Sequence, residues 1–170
     1  MRCLWSMGVS LLLGLCCGCA GYKMGPTNGL PAGAKSIQVN LFQNHTIEPR
    51  LIEAVSSALR KQLQQDGTYR LATQDDGEIV VNGTIVRFER AGLSYQPGDI
   101  LTVRDYSLKI IARIVAKERG TGKVLLDREI TGRTTIRAGS NLSSTERQAI
   151  PLMAENLARN ATSLLVDGQW

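Results

Sequence analysis

Between Tyr106 and Arg137 the chain alternates with the period of an extended strand, and that pattern leaves little freedom in the choice of fold. Tyr106, Leu108, Ile110, Ala112, Ile114 and Ala116 share one side, while Ser107, Lys109, Ile111, Arg113, Val115 and Lys117 share the other. This strand is predicted over about Thr102 to Ala116. Gly120-Thr121-Gly122-Lys123 reads as a tight hairpin turn, and a strand over about Val124 to Ile136 continues the asymmetry. Val124, Leu126, Ile130 and Ile136 fall on one face; Lys123, Arg133 and Arg137 fall on the opposite one with Asp127 and Glu129. A hairpin with one apolar and one charged face needs a cover for the apolar face.

The flanking sequence supplies that cover. Ser36 to Phe42 alternates polar and apolar residues and reads as a strand, followed by a turn at Asn44-His45-Thr46. Pro49 suits the first position of a helix, in which Ile52, Val55, Leu59 and Leu63 form one stripe before a stop at Asp66-Gly67. Residues 78–90 are β-branched and read as a further strand, with Gly83 marking a bulge or a close approach, and a loop is predicted from Ala91 to Leu101. Near the carboxyl end, Ser143 and Glu146 have capping-box spacing. Behind them Ile150, Met153, Leu157, Ala161 and Leu164 recur on one stripe. Pro151 has no amide donor and crowds the preceding turn, which predicts a kink or a restart. These elements add up to an α+β domain over residues 36–170, two helices packed on one face of a four-stranded, mostly antiparallel sheet.

Cysteine usage separates this body from what precedes it. All four cysteines, Cys3, Cys16, Cys17 and Cys19, lie at the amino end, so the body has neither a disulfide nor a cysteine metal site. Arg2 precedes a mostly apolar run from Leu4 to Leu15, too short to span a membrane but suited to the core of a signal peptide. The run ends in Leu15-Cys16-Cys17-Gly18-Cys19-Ala20, which resembles a bacterial lipobox, in which the cysteine after the cut receives a diacylglyceryl group. Gly18 is the small residue such a cut requires, which makes Cys19 the modified residue, with Cys17 as the alternative. The expected organisation is a signal peptide over residues 1–18, a Gly- and Pro-rich anchor and tether over residues 19–35, and the folded domain beyond. Several acyl chains on one cysteine hold a protein to a membrane effectively permanently. Ala20 takes the place of the Asp typical of lipoproteins kept at the inner membrane, so the likeness implies the outer membrane, periplasmic side.

Catalysis finds little support. His45 is the only histidine, and it lies in a turn; Asp75, Asp76 and Glu78 lie in a polar turn that suits a solvated charge cluster. No phosphate loop, nucleophile elbow or metal motif occurs, so no enzyme activity, cofactor or metal is expected. The formal charge is +5, and its informative part is the row Lys109, Arg113, Lys117, Arg133 and Arg137 on the face away from the apolar residues. That row is either an ordinary solvated sheet face or an anion-binding surface on which Arg forks onto phosphate and Lys acts as a point charge. Nucleic acid is a poor ligand for a chain anchored outside the cytoplasm, whereas anionic lipid head groups or an acidic protein fit that location.

Cys19 with Gly21-Tyr22, then Ile37-Gln38-Val39-Asn40-Leu41-Phe42-Gln43-Asn44-His45-Thr46-Ile47-Glu48-Pro49, resembles the start of the LptE family of lipopolysaccharide-assembly lipoproteins. Ala58-Leu59, Gly83-Thr84-Ile85, Tyr106, Thr121-Gly122-Lys123-Val124-Leu125 and Leu157-Ala158 follow in the family's order. The resemblance implies a one-to-one complex in which the chain plugs, and helps to assemble, an LptD-type outer-membrane β-barrel. It also implies binding of lipopolysaccharide on its way to the cell surface, and a fold of two helices on a four-stranded sheet. The five basic strand residues are nominated from strand parity rather than from the family. A second reading is an outer-membrane lipoprotein that activates or scaffolds a periplasmic enzyme, because such proteins share a strand resembling Val39-Asn40-Leu41-Phe42-Gln43-Asn44 followed by a helix.

Overall fold

The computed structural model describes residues 33–139 and 141–167, so the expected signal peptide, the expected lipidation site Cys19 and nearly all of the expected tether lie outside the described residues. Strands β1 (Ser36–Val39) and β2 (Gln43–Asn44) lead into helix α1 (Leu51–Asp66). They are followed by β3 (Arg70–Leu71), β4 (Ile79–Gln96), β5 (Asp99–Glu118), β6 (Val124–Arg137) and helix α2 (Leu142–Asp167). The strand order is β3-β1-β4-β5-β6, with β2 also paired to β4. The fold is therefore α+β with two helices on one sheet face, but the sheet has six strands and is mixed, rather than four strands and mostly antiparallel.

The correction has a simple cause. Strands β1 and β2 reach β4 through helix α1, and a strand-helix-strand crossover brings its two strands in parallel. Ile37 accordingly sits beside Ile79, and Gln43 beside Thr84, both in parallel ladders, while β4, β5 and β6 form an antiparallel meander. The single strand expected over residues 36–42 breaks at Asn40–Phe42. Between the two ladders the register shifts by one residue, so that the Phe42 amide donates to Ser56 Oγ on α1 at 3.1 Å instead of to the sheet. The Phe42 ring then lies against Gly83, where a Cβ would stand only 2.1 Å from Phe42 Cε1. This is the close approach expected at Gly83; the bulge falls later, between Ile85 and Arg87.

The apolar face of β5 is buried as its alternation requires, with Leu108, Ile110, Ala112, Ile114 and Ala116 all fully enclosed. Helix α1 adds Leu51, Val55, Leu59 and Leu63, with Leu51 rather than Ile52 on the buried stripe, and it ends at Gly67, whose amide donates to the Leu63 carbonyl at 3.2 Å. Its first turn begins at Leu51, two residues after Pro49. Helix α2 contributes Ile150, Met153, Leu157, Ala161, Leu165 and Val166, while Leu164 faces outward. Its cap is Asn141, whose Oδ1 accepts from the Ser144 amide at 3.0 Å, so the expected capping box at Ser143 does not form and Glu146 instead pairs with Arg90. Pro151 causes no restart: α2 is continuous through it, with the proline on the exposed side beside a groove of about 690 Å³ between the helices. No helix among the described residues is long and apolar enough to cross a membrane.

Candidate functional site

The loop expected over residues 91–101 is a continuation of β4 and β5 around a Pro97-Gly98 turn. Strands of 18 and 20 residues result, far beyond the usual strand of about 5–6 residues. Past the Asp105–Arg137 pairing β6 stops, and the two long strands project as a ribbon. Its tip exposes Leu93 (58%), Tyr95 (51%), Ile100 (83%) and Leu101 (88%).

The face of β4–β6 turned away from the helices carries the charges. Lys109, Arg113 and Lys117 of β5 lie on it, as do Arg133 and Arg137 of β6, so strand parity places all five nominated cations on one surface. Lys109 and Arg133 are direct cross-strand partners. Side chains so paired have Cβ atoms roughly 5 Å apart, and like charges in that position repel. Together with Glu89, Ala91 and Ser107 they line a shallow depression.

Carboxylates divide the row unequally. Arg113 forks onto Asp127, with Nε to Oδ1 and Nη2 to Oδ2 both at 2.7 Å. This fork holds the Asp127 carboxyl below its ordinary range and raises the Arg113 guanidinium. Lys109 pairs with Glu89, which also has Arg87 Nε at 3.7 Å; the lysine's hydrogen bond is the main cause of the lowered Glu89 pKa. Arg137 reaches Asp105 at 3.4 Å, but the hydrogen bond from Ser94 is the first cause of that carboxyl's lowered pKa, followed by the one from Arg104. Among the described residues, Lys117 and Arg133 have no carboxylate in ion-pair contact. Arg87 and Glu89, to which the sequence assigned no face, also lie on this surface, because the bulge after Ile85 shifts the alternation of β4 by one residue. The bulge carries no local sequence signal beyond the β-branched run in which it sits.

The acidic groups of the polar turn before β4 serve structural contacts. Asp75 accepts from Gln38 Nε2 and from Arg119, which together lower its pKa, and Glu78 accepts the Ser36 amide at 2.9 Å. His45 is an exposed turn residue whose amide donates to the Ile85 carbonyl. No cluster of metal-ligating side chains occurs among the described residues. The arrangement on the open face suits electrostatic capture of an anion; it positions no nucleophile against a base.

Comparison with known proteins agrees with this architecture. A minor lipoprotein from Acinetobacter baumannii superposes with a TM-score of 0.56 at 14% identity, covering 79% of this chain and 94% of its own. A protein from Xanthomonas campestris gives a TM-score of 0.57 at 12% identity, covering 86% and 93%. One from Chlamydia trachomatis gives 0.54 at 10%, covering 77% and 95%. At such identities these are likenesses of fold. No curated protein matches the chain in sequence. The family model for LptE, described as lipopolysaccharide-assembly, matches residues 34–164, from just before β1 to near the end of α2. The chain belongs to the LptE family.

Proposed function

We propose that this chain is an outer-membrane lipoprotein, anchored through Cys19, that plugs and helps to assemble an LptD-type β-barrel and binds lipopolysaccharide in transit on the open face of its sheet. The observation that carries the binding half is the facing pair Lys109 and Arg133. Two cations held opposite each other are relieved by an anion between them, and Glu89 neutralises only one side of the pair. Lys117 extends the positive surface along β5, and Arg113 can exchange its exposed carboxylate fork for a phosphate fork of similar geometry. Pairs at an open surface are weak enough to be exchanged when a multiply charged glycolipid arrives. Family membership supports the barrel half, and the projecting apolar ribbon offers a surface that water does not favour. The lipoprotein named among the structural relatives agrees with the anchoring.

The barrel half is tested by detergent extraction, in which a stable one-to-one complex with a large β-barrel is expected; recovery of the chain alone refutes it. The binding half is tested with K109E/R113E/K117E. Lipopolysaccharide binding at low salt is expected to fall with the circular dichroism spectrum unchanged, and binding equal to wild type refutes it.

A further inference from the structure

Strand β6 is the edge of the sheet, paired to β5 on one side only. An edge strand presents its outward N–H and C=O groups to any extended chain that comes near. In an antiparallel ladder these groups belong to alternate residues, and on β6 they include those of Thr131 and Arg133. Both are engaged by helix α2. The Arg133 amide donates to Asn156 Oδ1 at 2.9 Å, and Asn160 Nδ2 donates to the Thr131 carbonyl at 2.8 Å. Two asparagines one helical turn apart thus make the hydrogen bonds that a neighbouring strand would make. Gly132 sets the approach, because a Cβ there would lie 2.4 Å from the Met153 carbonyl oxygen and 2.7 Å from Leu157 Cβ. Asparagine is a poor choice for a helix interior, so its use twice at this spacing calls for a role.

We propose that Asn156 and Asn160 guard the β6 edge against strand pairing with a second copy of this chain. The charge pattern singles out that occupant. When two β6 strands are laid antiparallel about Thr131, Glu129 of each copy falls opposite Arg133 of the other, and the two-fold symmetry repeats the pair. In the same register Asp127 meets Thr135, Arg128 meets Thr134 and Leu126 meets Ile136, so no like charges oppose each other. The guard therefore covers an edge whose sequence complements itself across a strand pair.

The test uses the full chain in detergent, followed by native mass spectrometry over a concentration series. N156L/N160L removes both hydrogen bonds while keeping the number and branching of side-chain heavy atoms. Its dimer fraction is expected to rise about tenfold over wild type at equal concentration, consistent with the modest net worth of two hydrogen bonds. Adding Arg133→Pro, which deletes the outward amide, is expected to restore the monomer. A folded N156L/N160L that stays monomeric, or a dimer that survives Arg133→Pro, overturns the proposal. Hydrogen exchange on the wild-type chain tests the guard itself even if the variants fail to fold. The Arg133 amide is expected to exchange about tenfold more slowly than those of Glu129 and Thr135, and equal rates overturn the proposal.

Discussion

The contact between Phe42 and Gly83 joins the break in the first strand to the centre of the sheet, and a double-mutant cycle can measure it. Phe42 is 3% exposed, and a Cβ on residue 83 would stand 2.1 Å from its Cε1, 2.3 Å from Cζ and 2.4 Å from Cδ1. Carbon atoms rest about 3.5–4.0 Å apart, so the ring would have to retreat by more than 1 Å within a closed core. G83A is therefore expected to cost about 1–3 kcal/mol through overpacking. F42L removes Cε1 and Cζ along with one further carbon, and at roughly 0.8 kcal/mol per lost carbon it is expected to cost about 2 kcal/mol. With those atoms gone, the one close carbon that leucine keeps, Cδ1, can turn into the vacated space and leave room for the new methyl group. G83A introduced into F42L should then be neutral, or stabilising by about 0.5 kcal/mol through the stiffer unfolded chain. Urea unfolding followed by circular dichroism gives the four midpoints and slopes that the cycle needs. The reasoning fails if G83A costs the same in both backgrounds to within about 0.5 kcal/mol, since that is additivity between sites that do not touch.

Three further outcomes can be checked with the same material. Thr162 is buried in α2 with an unpaired Oγ1, so T162V is expected to stabilise by about 1 kcal/mol, raising the melting temperature by roughly 2–4 °C; a comparable loss would mean that the hydroxyl is bonded after all. Glu89, Asp105 and Asp127 all titrate below their ordinary values in the folded chain, so their pairs stabilise fully above the unfolded values and lose that stabilisation as pH falls through the depressed ones. Urea midpoints should hold from neutral pH to about the ordinary glutamate value of 4.5 and fall below it, with a shallower fall in E89Q/D127N; equal slopes would contradict the pairing. At the ribbon tip, L93S/I100S/L101S is expected to change stability by no more than about 0.5 kcal/mol while lowering recovery of the barrel, and undiminished recovery would remove the tip from that interface.

How legible each part was depended on how long its pattern ran. Strand β5 and the strand after it carry enough alternation for Leu108 and Lys109 to be assigned to opposite faces from sequence, and the structure keeps them there. Strand β1 was legible from its alternation, but the two-residue strands β2 and β3 are too short to show any period, and the parallel pairing went unread even though the strand-helix-strand order that requires it was in view. Arg87 and Glu89 were hidden by the bulge, which reverses parity without a marker residue. The cap of α2 was misplaced because Ser143 and Asn141 both suit the position, and only the backbone path chooses between them. The candidate site followed the same rule: its cations were readable from alternation, whereas their partners depended on register between strands far apart in sequence.

The parallel placement of β1 also bears on the order in which the molecule assembles. Strands β4, β5 and β6 join through short turns and can zip together from local contacts, whereas Ile37 meets Ile79 only after a long intervening loop has closed. Strand β1 enters between β3 and β4, so its docking completes the sheet rather than starting it. The amino-terminal strand thus stays free until the meander has formed.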